Sequence, residues 1–561
     1  MPESSFDVVI SGAGPNGLML ACELALVGVR PIVLEKLSEP SAEPKANGLV
    51  GQVIRLLDMR GLYHEFGGAP GAPQPVPGYM FSGMPVSFAE VANNPMYALL
   101  LPQPKLVRLL EKRARELGIE IRWGHELTDL VQQDGSVTVT VTGPDREYDL
   151  TTTYLVAADG GKSFVRKHTG IEFPGSTNAS KLVRMAHVSL PEELRTGDGG
   201  ILIPGLGRLP FGHNRLERGM FIFAELEPGR PLVATMEFDG DPVLEDTPMT
   251  LDELRASLRR VLGVDLPIAP PPGSGPHALR RNEGQNTRLA ERYRDGNVFL
   301  LGDSAHVHSA MGGPGLNLGL QDAANLGWKL AAQVNGWAPV GLLDTYHSER
   351  YPVGERVMMH SLSQLALMAP GPEVTALREF MGELLKAPES AGHIAHLLAG
   401  SDIRYDIGDP HPLSGRMVPD LTLETSDGRT RIADLLHSAR AVLVQLTENS
   451  GFADIAGDWN DRVDTVIATC PDAPADALLI RPDGYVAWAG EVGSEDDRLR
   501  NALTRWFGPA RSSWARRCGP PGITEMPPGW AASDAGQSVP PLPVDLTGQS
   551  QSTRSSSSCE Q

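Results

Sequence analysis

The sequence predicts an α/β protein with a β-rich insertion and a smaller α/β unit towards the C-terminus. Three observations predict it. The apolar run Val8-Val9-Ile10 leads into Gly12-Ala13-Gly14-Pro15-Asn16-Gly17 and opens a strand–turn–helix–strand unit. A second apolar strand, residues 297–301, ends in Gly302-Asp303 and continues through Gly312-Gly313-Pro314-Gly315-Leu316-Asn317 into a long helix. Between the two, residues 171–285 change to short β-rich segments.

Taken in order, Phe6 to Ile10 reads as a strand, Leu18 to Val27 as a helix stopped by Gly28, and Pro31 to Leu34 as the next strand, a βαβ unit. Helices are expected over Gln52 to Arg60 and Pro104 to Leu117, the second stopped by Gly118. Strands follow at Glu120 to Trp123, Val137 to Val141 and Tyr154 to Ala158, the last running into Asp159-Gly160. The insertion holds strands near Leu182 to Leu190, Met220 to Leu226 and Leu232 to Phe238, with one amphipathic helix near Leu251 to Val261. A β-rich insert between two halves of a nucleotide domain suits a cover over a substrate cavity. From about Met417 to Phe507 the chain reads as a separate small α/β unit, with strands at Ala441 to Leu446, Val463 to Ala468, Ala477 to Ile480 and Tyr485 to Ala489. The expected division is 1–170 with 286–400, 171–285, 417–508, and a Pro-, Gly- and Ser-rich flexible tail over 509–561.

Composition bounds the function. The 561 residues are 41% hydrophobic and carry a formal net charge of −20, which argues against a protein that neutralises nucleic-acid phosphates. No apolar run is long enough to span a membrane, and the N-terminus lacks a basic region followed by an apolar stretch, so a soluble, cytoplasmic protein is expected. Cys22, Cys470, Cys518 and Cys559 are too far apart for a CxxC motif or a compact zinc site, and no metal is expected.

The first glycine signature needs its residues for physical reasons. Gly12 permits the tight turn, Gly14 lets backbone approach a pyrophosphate, and Gly17 lets the helix pack on the strand, while the helix N-terminus offers free N–H groups. Roughly 20 residues on, Glu35 closes the second strand and can accept from ribose hydroxyls, which suits FAD or NAD and disfavours a 2′-phosphate there.

The second signature chooses between them. Asp303 stands at a strand end before a glycine-rich loop and a helix, placed to bind a ribityl hydroxyl, and N–H groups near Gly315 to Asn317 can support negative charge on an isoalloxazine. Here the sequence resembles the class A, single-component FAD-dependent aromatic hydroxylases of the para-hydroxybenzoate hydroxylase fold. Asp159-Gly160 with Ser163 and Arg166, Gln103, Leu127 and Tyr346-His-Ser-Glu349-Arg350-Tyr-Pro352 carry the same resemblance. It implies a Rossmann-like FAD-binding domain, an inserted β-rich substrate domain and a thioredoxin-like C-terminal domain without its cysteine pair. It also implies FAD contacts from Gly12, Gly14, Pro15, Asn16, Gly17, Glu35, Lys45, Gln103, Leu127, Asp159, Asp303, Gly312, Gly313, Gly315, Leu316 and Asn317. The chain departs from the family at Ala310, Pro314 and Lys45, where Pro, Gln or Lys, and Arg are usual.

Within the family the chain is most similar to bacterial hydroxylases that tailor aromatic polyketides. The resemblance implies that NAD(P)H reduces FAD and that a flavin C4a-hydroperoxide then hydroxylates a polycyclic phenol or quinone in antibiotic biosynthesis, with NADPH or NADH and O₂ as co-substrates. Phe81, Met96, Phe211, Phe223 and Met236 are candidate substrate contacts, alongside Tyr79, Phe88 and Met220, and ordinary core packing is as good a reading for each. His306 and His308 have no nearby ligand set and read as loop residues. A homodimer is one expectation for the C-terminal unit. The alternatives are Baeyer–Villiger or antibiotic-inactivating oxygenation on the same scaffold, and a redox-silent flavin-binding accessory protein.

Overall fold

The N-terminal βαβ unit forms where the sequence places it. In the computed structural model β1 (Phe6–Ser11) leads through the glycine turn into α1 (Pro15–Leu26), and β2 (Pro31–Glu35) returns parallel to β1. Pro15 suits the first helical turn, since it lacks only an N–H that would have no partner there. The structure describes residues 6–43, 45–226, 228–240, 247–273, 277–309, 311–447, 451–491 and 496–511, with no side chains for 283–285. Ala310, Cys518, Cys559 and the expected tail from 512 lie outside the described residues.

An eight-stranded sheet is built on this unit. Its parallel core runs Val298–Leu300, Glu147–Ala157, β1, β2, Glu120–Trp123. The chain goes from β1 to β2 on one side and returns to Glu147–Ala157 on the other, so strand order reverses beside β1. Such a switch point opens a crevice beyond the strands' C-terminal ends. Gly12, Asp159 and Gly302 all stand at those ends. The strand Glu126–Gln133, which sequence periodicity did not mark, forms a hairpin with Ser136–Thr142 at the edge.

The insertion is a six-stranded antiparallel sheet in the order Gly212–Leu216, Gly219–Ala224, Leu232–Glu237, Gly175–His187, Arg280–Leu289, His306–Val307. Its last strand comes from the second glycine signature, so the cover is joined to the loop that it covers. Helix Leu251–Leu262 fills one face, capped by Thr250 Oγ1, which accepts from Glu253 N at 3.1 Å, and ended by Gly263 in the left-handed region. Phe221 and Phe223 pack on that helix side, whereas Met220 and Met236 fall on the other face with Met311 and Met368.

Helix Pro314–Val334 follows the second signature, and then come Asp344–Leu367, Pro372–Leu384 and Pro388–Ala399. The C-terminal sheet runs Val463–Ile467, Ala441–Gln445, Ala477–Ile480, Val486–Gly490, with the first pair parallel and the rest antiparallel. It is not set apart from the rest. Trp328 of the long helix packs on Trp506 and Phe507, and Arg60 donates to Leu436 O at 2.9 Å and Pro482 O at 2.7 Å. The described residues pack as one compact unit. Among them no helix is long and apolar enough to cross a membrane.

Candidate functional site

The three glycines of the first turn do different work. Gly12 has φ 113°, and a Cβ there would lie 2.3 Å from Ala158 O; at Gly17 a Cβ would lie 2.1 Å from Gly12 O. These two are demanded by the fold itself. Gly14 is different, because a Cβ there would meet nothing within 4 Å, so the space before it is open. Nearby in the chain, Asn16 Oδ1 and, at the end of the neighbouring strand, Asp159 Oδ1 are buried without a hydrogen-bond partner. Leaving such a group unsatisfied costs about 1–3 kcal/mol, which marks a surface built to meet a ligand. Burial pushes the Asp159 carboxyl up, against hydrogen bonds from Ser163 and the Val165 N–H.

The fold brings the two signatures into contact. Gly302 has φ 62°, and a Cβ there would lie 2.1 Å from Asn16 Nδ2; at Gly319 the same atom would be 2.3 Å away. The Asn16 side chain therefore sits between the second signature and the long helix. Asp303 is exposed on the turn Gly302–Ser304. Ser304 Oγ ties that turn to the central sheet by donating to Ala157 O at 2.6 Å. Arg166 donates to Ser304 O at 2.8 Å and to Gly161 O at 3.0 Å, joining the Asp159-Gly160 segment to the same turn. The motif contains Arg166 and Ser304, but nothing in their spacing announces this link.

The long helix begins at Pro314 after Gly313 in the left-handed region. Asn317 braces its first turn, with Oδ1 accepting from Val50 N at 3.0 Å and Nδ2 donating to Gly313 O at 2.7 Å. Its side chain is thus committed to the fold, and within the helix the backbone N–H groups of Gly315 and Leu316 are the ones without an intrahelical acceptor. At Gly312, φ 81°, a Cβ would come within 2.7 Å of Gln364 Nε2.

Glu35 lies at the opposite end of the crevice, accepting from Ala13 N at 2.9 Å and Leu37 N at 3.0 Å. A carboxylate has lone pairs beyond those two. His125 N donates to Glu35 O at 2.8 Å, which brings the start of the strand holding Leu127 alongside. Gln103 opens its helix and donates its N–H to Ala46 O at 2.8 Å, beside exposed Lys45.

The substrate candidates are not brought together. Phe81 and Met96 pack in an apolar cluster with helix Pro388–Ala399, together with Phe88. Phe223 faces helix Leu251–Leu262, and Phe211 is 41% exposed. These four do not share a face: period-two alternation sends Phe223 to the helix side, and the turn leaves Phe211 in solvent. Only Met236 of the five, with Met220, lies on the face towards Met311.

The crevice fits an extended dinucleotide: an open glycine turn at one end, a carboxylate turn and a helix N-terminus at the other, with the orphaned Asn16 and Asp159 oxygens among its residues. Residues 5–361 match the family described as FAD binding domain, and residues 411–510 the one described as aromatic-ring hydroxylase, C-terminal. A 12-dehydrotetracycline 5-monooxygenase/anhydrotetracycline 6-monooxygenase of Streptomyces rimosus is 43% identical, over 90% of this chain and 99% of its own length. A rifampicin monooxygenase of Streptomyces venezuelae is 38% identical over 90% of this chain and 99% of its own. The solved anhydrotetracycline hydroxylase from Streptomyces rimosus superposes with a TM-score of 0.80 at 42% identity, covering 90% of this chain and 100% of that one. A family match over most of the length, on a crevice of this geometry, shows that the chain belongs to the FAD-dependent aromatic-ring hydroxylases and is an FAD-dependent monooxygenase.

Proposed function

We propose that this enzyme hydroxylates a polycyclic aromatic polyketide, a phenol or quinone, in antibiotic biosynthesis, with NAD(P)H and O₂ as co-substrates. The observation that carries the reading is the methionine-rich face of the cover. Val183, Met220, Met236 and Phe238 gather there with Met311, Leu365 and Met368, and Met311 directly precedes Gly312 of the glycine loop. Thioether side chains pack well on aromatic faces and adapt to their outline, which supports a flat, extended substrate beside that loop. Identity of 43% to an enzyme named for anhydrotetracycline supports the same class.

Bound FAD would supply the redox chemistry, carrying electrons from NAD(P)H to O₂. The chain's own residues bind and orient. Gly12, Gly14, Pro15, Asn16 and Gly17 would receive the pyrophosphate at the N-terminus of α1, Glu35 the adenosine ribose, and Leu127 the adenine. Asp303 would hold the ribityl chain, with Gln103 and Lys45 near the ring. The first-turn N–H groups of Gly315 and Leu316 would stabilise negative charge at its pyrimidine edge, after the Gly312-Gly313 turn. Asp159 would serve both FAD and the nicotinamide. Consumption of NAD(P)H supports a cytoplasmic location, and the strand order of the C-terminal sheet supports a thioredoxin-like domain.

Identity of 38% to a rifampicin monooxygenase favours, as a second reading, a finished antibiotic as substrate on the same scaffold. Both readings are tested with a panel of anthracycline, angucycline and tetracycline intermediates and finished antibiotics. NADPH oxidation stimulated by one compound, with a ring-hydroxylated product by mass and NMR, is expected. A lactone product would replace hydroxylation by oxygen insertion, and stimulation by none of the panel would overturn the proposal.

A further inference from the structure

His306 lies three residues beyond Asp303 and is buried, 1% exposed. Its backbone belongs to the cover, pairing with Leu289, while Ala290 N donates to Ala305 O at 2.7 Å. Its side chain turns to the long helix, with Nε2 at 2.7 Å from Asp322 Oδ2. The other Asp322 oxygen takes Arg350 Nε at 2.6 Å. Arg350 then donates from Nη1 to Tyr405 Oη at 2.9 Å and from Nη2 to Leu318 O at 3.3 Å. Tyr405 stacks on Tyr485 with ring centroids 4.3 Å apart, and the Arg481 guanidinium lies 5.3 Å from the Tyr405 ring. An unbroken buried chain thus runs from the loop of Asp303, through two helices, to the C-terminal sheet.

Two physical points decide what this chain is for. A buried ion pair contributes little net stability, because desolvating Asp322 and Arg350 offsets most of their attraction. What it supplies is orientation. Burial would raise the Asp322 carboxyl, but the Arg350 charge and His306 outweigh it and hold it below the usual carboxylate range. Asp322 is therefore a standing acceptor. It takes the Nε2 side of the imidazole at 2.7 Å, and Nδ1 is buried without a hydrogen-bond partner. The imidazole is thus fixed in angle between the cover strand and the helix whose N-terminus closes the glycine loop.

We propose that His306 is a positioning residue for the flavin-binding loop, and that the C-terminal segment acts on FAD through Tyr405, Arg350 and Asp322. The proposal rests on FAD occupying the crevice, which the yellow colour of the wild-type protein tests separately. His306→Leu removes the N–H donor, His306→Gln keeps one on an amide, and Tyr405→Phe removes the acceptor at the far end. The control is Arg440→Ala, which cuts the Arg440–Asp464 pair inside the same C-terminal sheet. Each protein is stripped of flavin, and its Kd for FAD, the visible circular dichroism of bound FAD and the Tm of the apoprotein are measured.

His306→Leu should weaken FAD binding by about tenfold or more, the scale of one lost hydrogen bond to a charged group, and alter the flavin dichroism. His306→Gln should restore binding to within about threefold, and Tyr405→Phe should weaken it by about threefold or more where Arg440→Ala does not. His306→Leu with a lowered Tm but unchanged FAD affinity and dichroism would make the residue structural only and overturn the proposal. Should His306→Leu not fold, Tyr405→Phe decides: an FAD affinity no different from that of Arg440→Ala would equally overturn it. Wild-type protein that binds no FAD would instead overturn the reading of the crevice.

Discussion

Replacing Gly14 with Ala separates cofactor binding from folding. In the structure Gly14 has φ −70° and ψ 175°, a conformation open to any residue, and a Cβ there would meet no atom within 4 Å. Two small terms then act on the apoprotein. Removing a glycine from the unfolded chain contributes about 0.4–1 kcal/mol, and alanine is a poorer helix N-cap than glycine by roughly the same amount. Net stability should stay within about 1 kcal/mol, a Tm change of about 2–4 °C at most. FAD binding should respond quite differently. A methyl group in the path of the pyrophosphate removes at least one backbone N–H bond to a charged group, about 1.5–3 kcal/mol, or roughly 10- to 150-fold in Kd. The assay is titration of flavin-stripped protein with FAD, followed by fluorescence, alongside thermal unfolding of the same apoprotein. Gly17→Ala is the contrast, since its Cβ would lie 2.1 Å from Gly12 O and the apoprotein itself should lose stability. Wild-type FAD affinity in Gly14→Ala would refute a pyrophosphate at this turn. A Tm loss as large as that of Gly17→Ala would refute the open space.

Other outcomes follow from the same geometry. Asp303→Ala, on an exposed turn, should weaken FAD retention by about tenfold with an unchanged apoprotein Tm, and unchanged flavin content would remove its assigned role. Arg481 makes two bonds to buried Glu349, at 2.7 and 2.8 Å, and burial's upward push on that carboxyl is outweighed by the Arg481 and Lys329 charges. Arg481→Met leaves the buried Glu349 and Asp483 carboxylates with only Lys329 as a nearby cation and should cost about 3–5 kcal/mol in urea unfolding; a loss below about 1 kcal/mol would mean the pair is not buried. Burial, with His308 and Arg356 nearby, pulls the His360 imidazole from 6.5 to about 4. A folded value below the unfolded one contributes stability that is full above pH 6.5 and is lost as pH falls towards 4, about 3 kcal/mol in all. His360→Gln should lose correspondingly less stability across that window, and an equal loss in both proteins would contradict the assignment.

Legibility followed the range of the interactions. The first glycine turn was readable because its demands are local: Gly12, Gly17 and the strand end at Ala158 constrain one another within one supersecondary unit. The second signature was readable as a strand, a carboxylate and a helix start. That Asn16 nests against Gly302 was not, since only the closed sheet brings the two together. Alternation along Gly219–Ala224 shows that Met220 and Phe223 face opposite ways, but only the packed helix Leu251–Leu262 says which face it covers. Phe223 therefore packs on the helix side, away from Met220 and Met236. The helix Asp344–Leu367 was hidden by the interior Pro352 and a weak apolar stripe, and Arg350 and Glu349 on it are buried by partners far along the chain. The C-terminal strands were legible as apolar runs. Their fusion to the rest rests on contacts such as Arg481 with Glu349, which no local pattern encodes.

One FAD molecule should span the crevice from Glu35 to the turn at Asp303. Crystallographic difference density for the protein crystallised with FAD tests it directly. The adenosine ribose is expected against Glu35, the pyrophosphate before Gly14, and the flavin ring between Asp303 and the N-terminus of helix Pro314–Val334. Density for FAD elsewhere, or with its two ends exchanged, would contradict it.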